Sequence, residues 1–274
     1  MHWILTRPRD TRGAELVELL ERTGTPHDVV AGGASFGTIV PDVSPEGPVL
    51  CLGSYALRHV AVAKGWSPGV IDVGWLGYRE SIEAWGDAML NADARFCRLD
   101  ALAETASTLG SSRVFVRPAY DSKVFEALVL DVGDVAGWAG TLSPPPAPET
   151  FAMACRPKEV LAEWRTWIVE GRVATASLYR RGGKALFDGR DLPGGMLAFA
   201  GDAAAILAGR LGADAPAAYV LDVALVAEGY RIVEVNGISG ARFYDCDVNL
   251  LFGALDGLGC AYGAGGPDRI VYPG

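Results

Sequence analysis

The sequence predicts a mixed fold, an α/β lobe at the N-terminus followed by α+β lobes, and three observations carry that prediction. Within the first 65 residues, short apolar runs alternate with helical patterns. Farther on, two pairs of strand-like runs each turn at a Glu-Gly dipeptide, Glu170-Gly171 and Glu228-Gly229. Residues 143–149, SPPPAPE, form a stiff proline-rich connector. The expected division is an α/β domain over 1–105, a central lobe over 106–150 and a C-terminal lobe over 151–274.

Trp3-Ile4-Leu5 reads as the first strand. Thr11 stands where a cap is needed for a helix over 13–22, whose Leu16, Leu19 and Leu20 recur at helical spacing before Gly24 closes it. Asp28-Val29-Val30, Ile39-Val40 and residues 49–52 read as further strands, with a helix over 55–64. Residues 32–37, GGASFG, match neither a dinucleotide-binding nor a P-loop pattern and read as turn. Gly53-Ser54 lies between strand and helix, where it either makes a tight turn or offers N–H groups to an anion. Residues 67–91 carry Trp75, Tyr78 and Trp85 and read as irregular aromatic packing. A helix over 101–109 follows, then strands over 113–117 and 125–130. Arg117 and Lys123 flank the intervening loop, either as solvated charges or as a grip on a polyphosphate.

Residues 151–155 read as a strand, broken by Pro157 and Lys158. A hairpin over 163–179 follows. With a three-residue loop, Glu163, Arg165, Thr175, Ser177 and Tyr179 share one face, and Arg165 there needs an anionic partner if it is buried. Arg180, Arg181, Lys184 and Arg190 read as a basic, glycine-containing loop, either solvated or receiving an anion. Helices are expected over 202–211 and 248–258.

The second hairpin, residues 219–236, is the informative one. Taking Ala227-Glu228-Gly229 as its loop puts Asp222 opposite Glu234, and Asn236 follows Glu234 onto the same face because side chains alternate along a strand. Leu221, Val223, Leu225, Val233 and Val235 then point the other way, into a core. Two carboxylates facing each other repel. Either they lie on a solvated edge, or a hard divalent cation relieves the repulsion, and Mg²⁺ carrying a nucleotide phosphate suits such oxygen ligands.

The bulk numbers exclude several classes. With 50% hydrophobic and 21% charged residues over 274 positions, the chain is globular rather than disordered. A net charge of -9 argues against a general nucleic-acid or anionic-membrane binder. No membrane-spanning stretch and no leader pattern is read from the sequence, so a cytoplasmic location is expected. The 5 cysteines show no CxxC pair and the 3 histidines no ligand spacing, which gives no support to zinc or a histidine-based triad.

The succession Arg117-Pro118, Lys123, Glu163-x-Arg165, Asp222 and Glu234-x-Asn236 resembles the ATP-grasp superfamily. Within it the chain is similar to a clade in which arginine replaces the usual lysine at the end of the first phosphate-gripping strand. The resemblance implies an ATP-grasp fold, with two α+β lobes enclosing ATP and a preceding α/β domain. It implies Asp222, Glu234 and Asn236 as ligands of Mg²⁺, and Arg117 and Lys123 as phosphate contacts. Arg165 would stabilise the transferring phosphoryl group. Cys155, Lys158 and Glu159 would lie beside the adenine and ribose, with Glu163 as an alternative ribose contact. Ser177, Arg180, Ser239 and Arg242 would face the substrate. The implied activity is ATP-dependent ligation of a carboxylate to an amine, on an amino acid or peptide, through an acylphosphate. A phosphotransferase and a non-catalytic nucleotide-binding module are the alternatives. Two features depart from the family: Ala119-Tyr120-Asp121-Ser122 is not a glycine-rich phosphate cover, and no proline follows Asn236 in its loop.

Overall fold

A computed structural model describes residues 1–263 apart from 9, 36, 55, 120–123 and 148–149, and leaves the side chains of 188 and 260–263 outside the description. The chain divides into two compact units. One contains Met1–Val73, Ala162–Val223 and the residues from Val235 onward; the other contains Gly74–Leu161 and Ala224–Glu234.

The first unit begins with β1 (His2–Thr6), α1 (Thr11–Thr23), β2 (His27–Gly32), β3 (Ile39–Val40), β4 (Val49–Leu52), α2 (Leu57–Lys64) and β5 (Pro68–Gly69). Their sheet has the order β3-β2-β1-β4-β5. β1 runs parallel to β2 and β4, and β4 to β5, so the expected mostly parallel lobe is present. All of β4 and most of β1 are buried, which is why both read as unbroken apolar runs. The cap of α1 is Asp10 rather than Thr11: its Oδ1 accepts from the Gly13 amide at 2.7 Å, leaving Thr11 as the first helical residue.

The second unit contains α3 (Tyr78–Trp85), β6 (Arg95–Arg98), α4 (Leu102–Ser107), β7 (Arg113–Pro118), β8 (Leu128–Asp131), α5 (Val135–Ala139) and β9 (Phe151–Cys155). Its antiparallel sheet has the order β6-β9-β7-β8. Leu102, Ala106, Val114, Val116, Val135, Ala152 and Ala154 form its core. α3 corrects the irregular reading of residues 67–91. Tyr78, Ser81 and Trp85 are its buried residues, a spacing of three and then four.

The remaining elements are β10 (Ala162–Val169), β11 (Arg172–Arg181), β12 (Lys184–Gly189), α6 (Gly194–Leu211), β13 (Ala218–Val226), β14 (Gly229–Asn236) and α7 (Val248–Gly263). Their sheet has the order β12-β11-β10-β13-β14. Three expectations change here. The β10–β11 loop is two residues long, since Val169 pairs with Arg172 and both Glu170 (φ 49) and Gly171 (φ 71) take positive φ. That is the geometry of a primed hairpin turn, and two register shifts farther along the ladder restore the shared face. The basic loop is largely ordered as β12, which pairs with β11. β13 is buried on both faces from Ala218 to Ala224, so Ala218 and Val220 also enter a core, beside Trp167 and Val169.

α6 is long and apolar enough to cross a membrane by length and composition, contrary to the expectation that no such stretch exists. Here Met196, Ala200, Ala203, Ala204 and Leu207 form its buried stripe.

Candidate functional site

In the first unit the site is built on β10. Register places Arg165 opposite Ser177 of β11. The guanidinium turns toward Asp222 of β13 and binds it at two points, Nε to Oδ1 at 3.0 Å and Nη2 to Oδ2 at 2.7 Å. Its carbon lies 5.4 Å from the Tyr179 ring centroid and 5.3 Å from that of Tyr244, so two aromatic faces flank it. Burial alone would lower the Arg165 pKa, but the adjacent Asp222 outweighs it and holds the group above its ordinary value. Tyr244 has φ 51, a left-handed conformation that costs a tyrosine about 1–2 kcal/mol. Stacking on Tyr179 at 5.1 Å and contact with Arg165 oppose that cost.

Glu163 is buried and engaged at both oxygens, by the Tyr179 hydroxyl at Oε2 and by Arg180 Nη1 at Oε1, 2.9 Å away. Burial, with Asp222 and Glu163 nearby, drives the Tyr179 pKa up and keeps its hydroxyl a donor. Ser177 Oγ is buried and has no hydrogen-bond partner among the described residues. Ser239 donates to the Cys51 carbonyl at 2.7 Å, tying the loop after β14 to β4, and Arg242 is exposed. Asn236 ends β14 and is partly exposed. Gly53 has φ 98, and a Cβ there would lie 2.4 Å from Thr6 Oγ1, so close approach to β1 accounts for that glycine.

In the second unit Arg117, near the end of β7, donates from Nη1 to Glu234 Oε2 at 3.0 Å. Its guanidinium carbon sits 4.5 Å from the Tyr78 ring centroid, and its Nε is buried without a hydrogen-bond partner among the described residues. Lys123 lies outside the described residues. Cys155 ends β9, buried, and desolvation pushes its thiol up to about 12. Lys158 pairs with Asp93 and also donates to the Arg156 carbonyl at 2.9 Å. Lys158 and the exposed Glu159 line one cavity of about 600 Å³, together with Asp87, Asp93, Val226 and Arg231.

Tyr78 and Asn91 escape the sequence reading. Tyr78 falls in a stretch that reads as general aromatic packing, and no local pattern singles out Asn91; the helical spacing of Tyr78, Ser81 and Trp85 is the available signal. Among the described residues no group of three or more His, Cys, Asp or Glu side chains is arranged to hold a metal ion. The expected ligand set differs from that type, having two carboxylates and one amide.

No curated protein matches the sequence. Among solved structures, D-cycloserine synthetase DcsG aligns with a TM-score of 0.70 at 15% identity, over 94% of this chain and 100% of that one. A RimK-domain ATP-grasp protein from Sphaerobacter thermophilus aligns with a TM-score of 0.61 at 16% identity, over 94% and 97%. D-alanyl-alanine synthetase A from Vibrio cholerae aligns with a TM-score of 0.58 at 10% identity, over 95% and 98%. Identities this low establish the fold. The model of an ATP-grasp domain, family 3 of the clade named for arginine in place of lysine, matches residues 54–255, which is most of the chain, and the protein belongs to that family.

Proposed function

We propose that this protein is an ATP-dependent ligase that forms a C–N bond between a carboxylate and an amine, on an amino acid or a peptide. The observation that carries the reading is a pairing within the motif. Each arginine assigned to phosphate holds a carboxylate assigned to magnesium: Arg165 holds Asp222 and Arg117 holds Glu234. Phosphoryl transfer asks a protein for positioning and charge neutralisation more than for a nucleophile, and paired charges of this kind are oriented in advance.

The donor set suits Mg²⁺. Asp222, Glu234 and Asn236 offer hard oxygens, and an Asp222 oxygen that accepts one N–H keeps a second lone pair. Bound there, magnesium would supply neutralisation of the phosphate charge. Arg117, with Lys123, would contact phosphates and Arg165 the transferring γ-phosphoryl. The unsatisfied Arg117 Nε and Ser177 Oγ fit that assignment, being polar atoms with bonding capacity to spare. Cys155, Lys158 and Glu159 would sit on the nucleotide side, with Glu163 as the alternative ribose contact. Ser177, Arg180, Ser239 and Arg242 would lie on the substrate side. A substrate carboxylate would attack the γ-phosphorus, ADP would leave, and an amine would displace phosphate from the acylphosphate. The solved synthetases with this fold, for D-cycloserine and D-alanyl-alanine, support a ligase over other ATP-grasp chemistry.

The test is ADP release with magnesium, ATP and a pool of amino acids and short peptides, run with and without hydroxylamine. Hydroxamate formation that disappears in Glu234→Gln supports the ligase. Substrate-dependent ADP release without hydroxamate favours phosphotransfer to a hydroxyl, and the absence of any substrate-stimulated turnover favours a binding module.

A further inference from the structure

We propose that Tyr78 is a positioning residue for the Arg117–Glu234 pair, and that Asn91 connects it to Cys155 at the end of β9. The inference rests on the nucleotide reading above. Its basis is a buried chain of donors and acceptors within the second unit. The Tyr78 hydroxyl donates to the carbonyl oxygen of Val233, the residue before Glu234. The Tyr78 ring lies against the guanidinium of Arg117, 4.5 Å from ring centroid to Cζ. One side chain therefore contacts both the backbone that carries Glu234 and the plane of its arginine partner.

The chain continues away from the pair. Asn91 Nδ2 donates to the Tyr78 oxygen at 3.4 Å, and Asn91 Oδ1 accepts from the Cys155 thiol at 3.3 Å. The backbone beside Asn91 is fixed to the same strand, since the Leu90 amide donates to the Ile232 carbonyl at 2.7 Å. Tyr78, Asn91 and Cys155 are all buried, so each broken link strands a polar atom away from water. Burial pushes both the phenol and the thiol up to about 12, which keeps both as donors at neutral pH.

Arg117 explains why the arrangement bears on ligand binding as well as on stability. Among the described residues its Nε has no hydrogen-bond partner, and its link to Glu234 runs through Nη1. A single hydrogen bond does not fix the plane of a guanidinium; the face of Tyr78 does. Removing the hydroxyl releases β14 beside Glu234, whereas removing the ring releases Arg117.

The experiment is calorimetric titration of the full chain with AMPPNP in magnesium and, separately, with AMP. It compares wild type, Tyr78→Phe, Tyr78→Leu, Arg117→Ala and the Tyr78→Phe/Arg117→Ala double variant. Tyr78→Phe is expected to weaken AMPPNP about 5-fold, the worth of one buried hydrogen bond, and to leave AMP unchanged. Tyr78→Leu should lose more, and Tyr78→Phe should add nothing once Arg117 is absent. Cys155→Ser keeps a donor for Asn91 and should retain wild-type affinity, while Cys155→Ala should not. A purely structural tyrosine would lower the melting temperature without changing the ratio of AMPPNP to AMP affinity. Equal losses for both nucleotides, no loss, or losses additive with Arg117→Ala overturn the inference while leaving the nucleotide site intact. Failure of wild type to bind either nucleotide overturns both.

Discussion

Arg165 holds Asp222 through two hydrogen bonds, at 3.0 and 2.7 Å, with 1% of the aspartate side chain exposed. Removing one partner leaves the other charge buried and uncompensated. Arg165→Ala is therefore expected to lower the free energy of unfolding in urea by about 3–5 kcal/mol. Replacing both partners, as Arg165→Met with Asp222→Leu, should recover most of that loss, because well-packed apolar residues often substitute for a buried pair at little cost. A double variant as unstable as the single one contradicts this description of the pair.

Arg117 tests geometry against charge. Arg117→Lys keeps the positive charge but loses the flat fork that lies against Tyr78 and reaches Glu234. Magnesium–AMPPNP affinity, measured by titration, is expected to fall for Arg117→Lys nearly as far as for Arg117→Ala. Full affinity in the lysine variant would show that charge alone suffices.

Tyr78 gives a pH dependence of defined sign. An unperturbed tyrosine ionises near 10.0, but burial, opposed by Arg117, raises the folded value to about 12. Between those values the native state holds a proton that the unfolded state has lost, so stability falls as pH rises. The slope approaches about 1.4 kcal/mol per pH unit for one such group. Urea denaturation across this window should show a shallower alkaline loss in Tyr78→Phe than in wild type. The buried thiols of Cys51, Cys155 and Cys246, also raised to about 12, contribute equally to both proteins and cancel. Identical slopes would mean that Tyr78 ionises as freely as in water.

The β10–β11 turn makes a local prediction. Gly171 has φ 71, and a Cβ there would meet Ala208 Cβ at a tolerable 3.6 Å, so backbone strain rather than a clash decides the outcome. Gly171→Ala should cost about 1–2 kcal/mol in thermal or urea unfolding. Glu170, with φ 49, is the mirror case, and Glu170→Gly or Glu170→Asn should be stabilising. The opposite signs would rule out the primed turn.

What the sequence made legible follows from where the information lies. β1, β4 and β9 are short apolar runs buried in sheets, so composition identified them. The need of Arg165 for an anion was readable from its place on a hairpin face, and Asp222 meets it. The turn at Glu170 was not readable, because a glutamate rarely takes positive φ and its strand pairing enforces it here. The start of α6 at Gly194-Gly195 was hidden by two poor helix formers, while burial of Met196 and Ala200 accounts for the extra turns. The Tyr78–Asn91–Cys155 chain joins residues 13 and 64 positions apart, beyond the reach of any periodicity.

The most direct measurement is titration of AMPPNP into the protein with magnesium and again with EDTA, for wild type and for Glu234→Gln. The expected result is binding to wild type that depends on magnesium and is strongly weakened in the variant. Absence of nucleotide binding, or an affinity indifferent to both magnesium and Glu234, would contradict the assignment of these carboxylates.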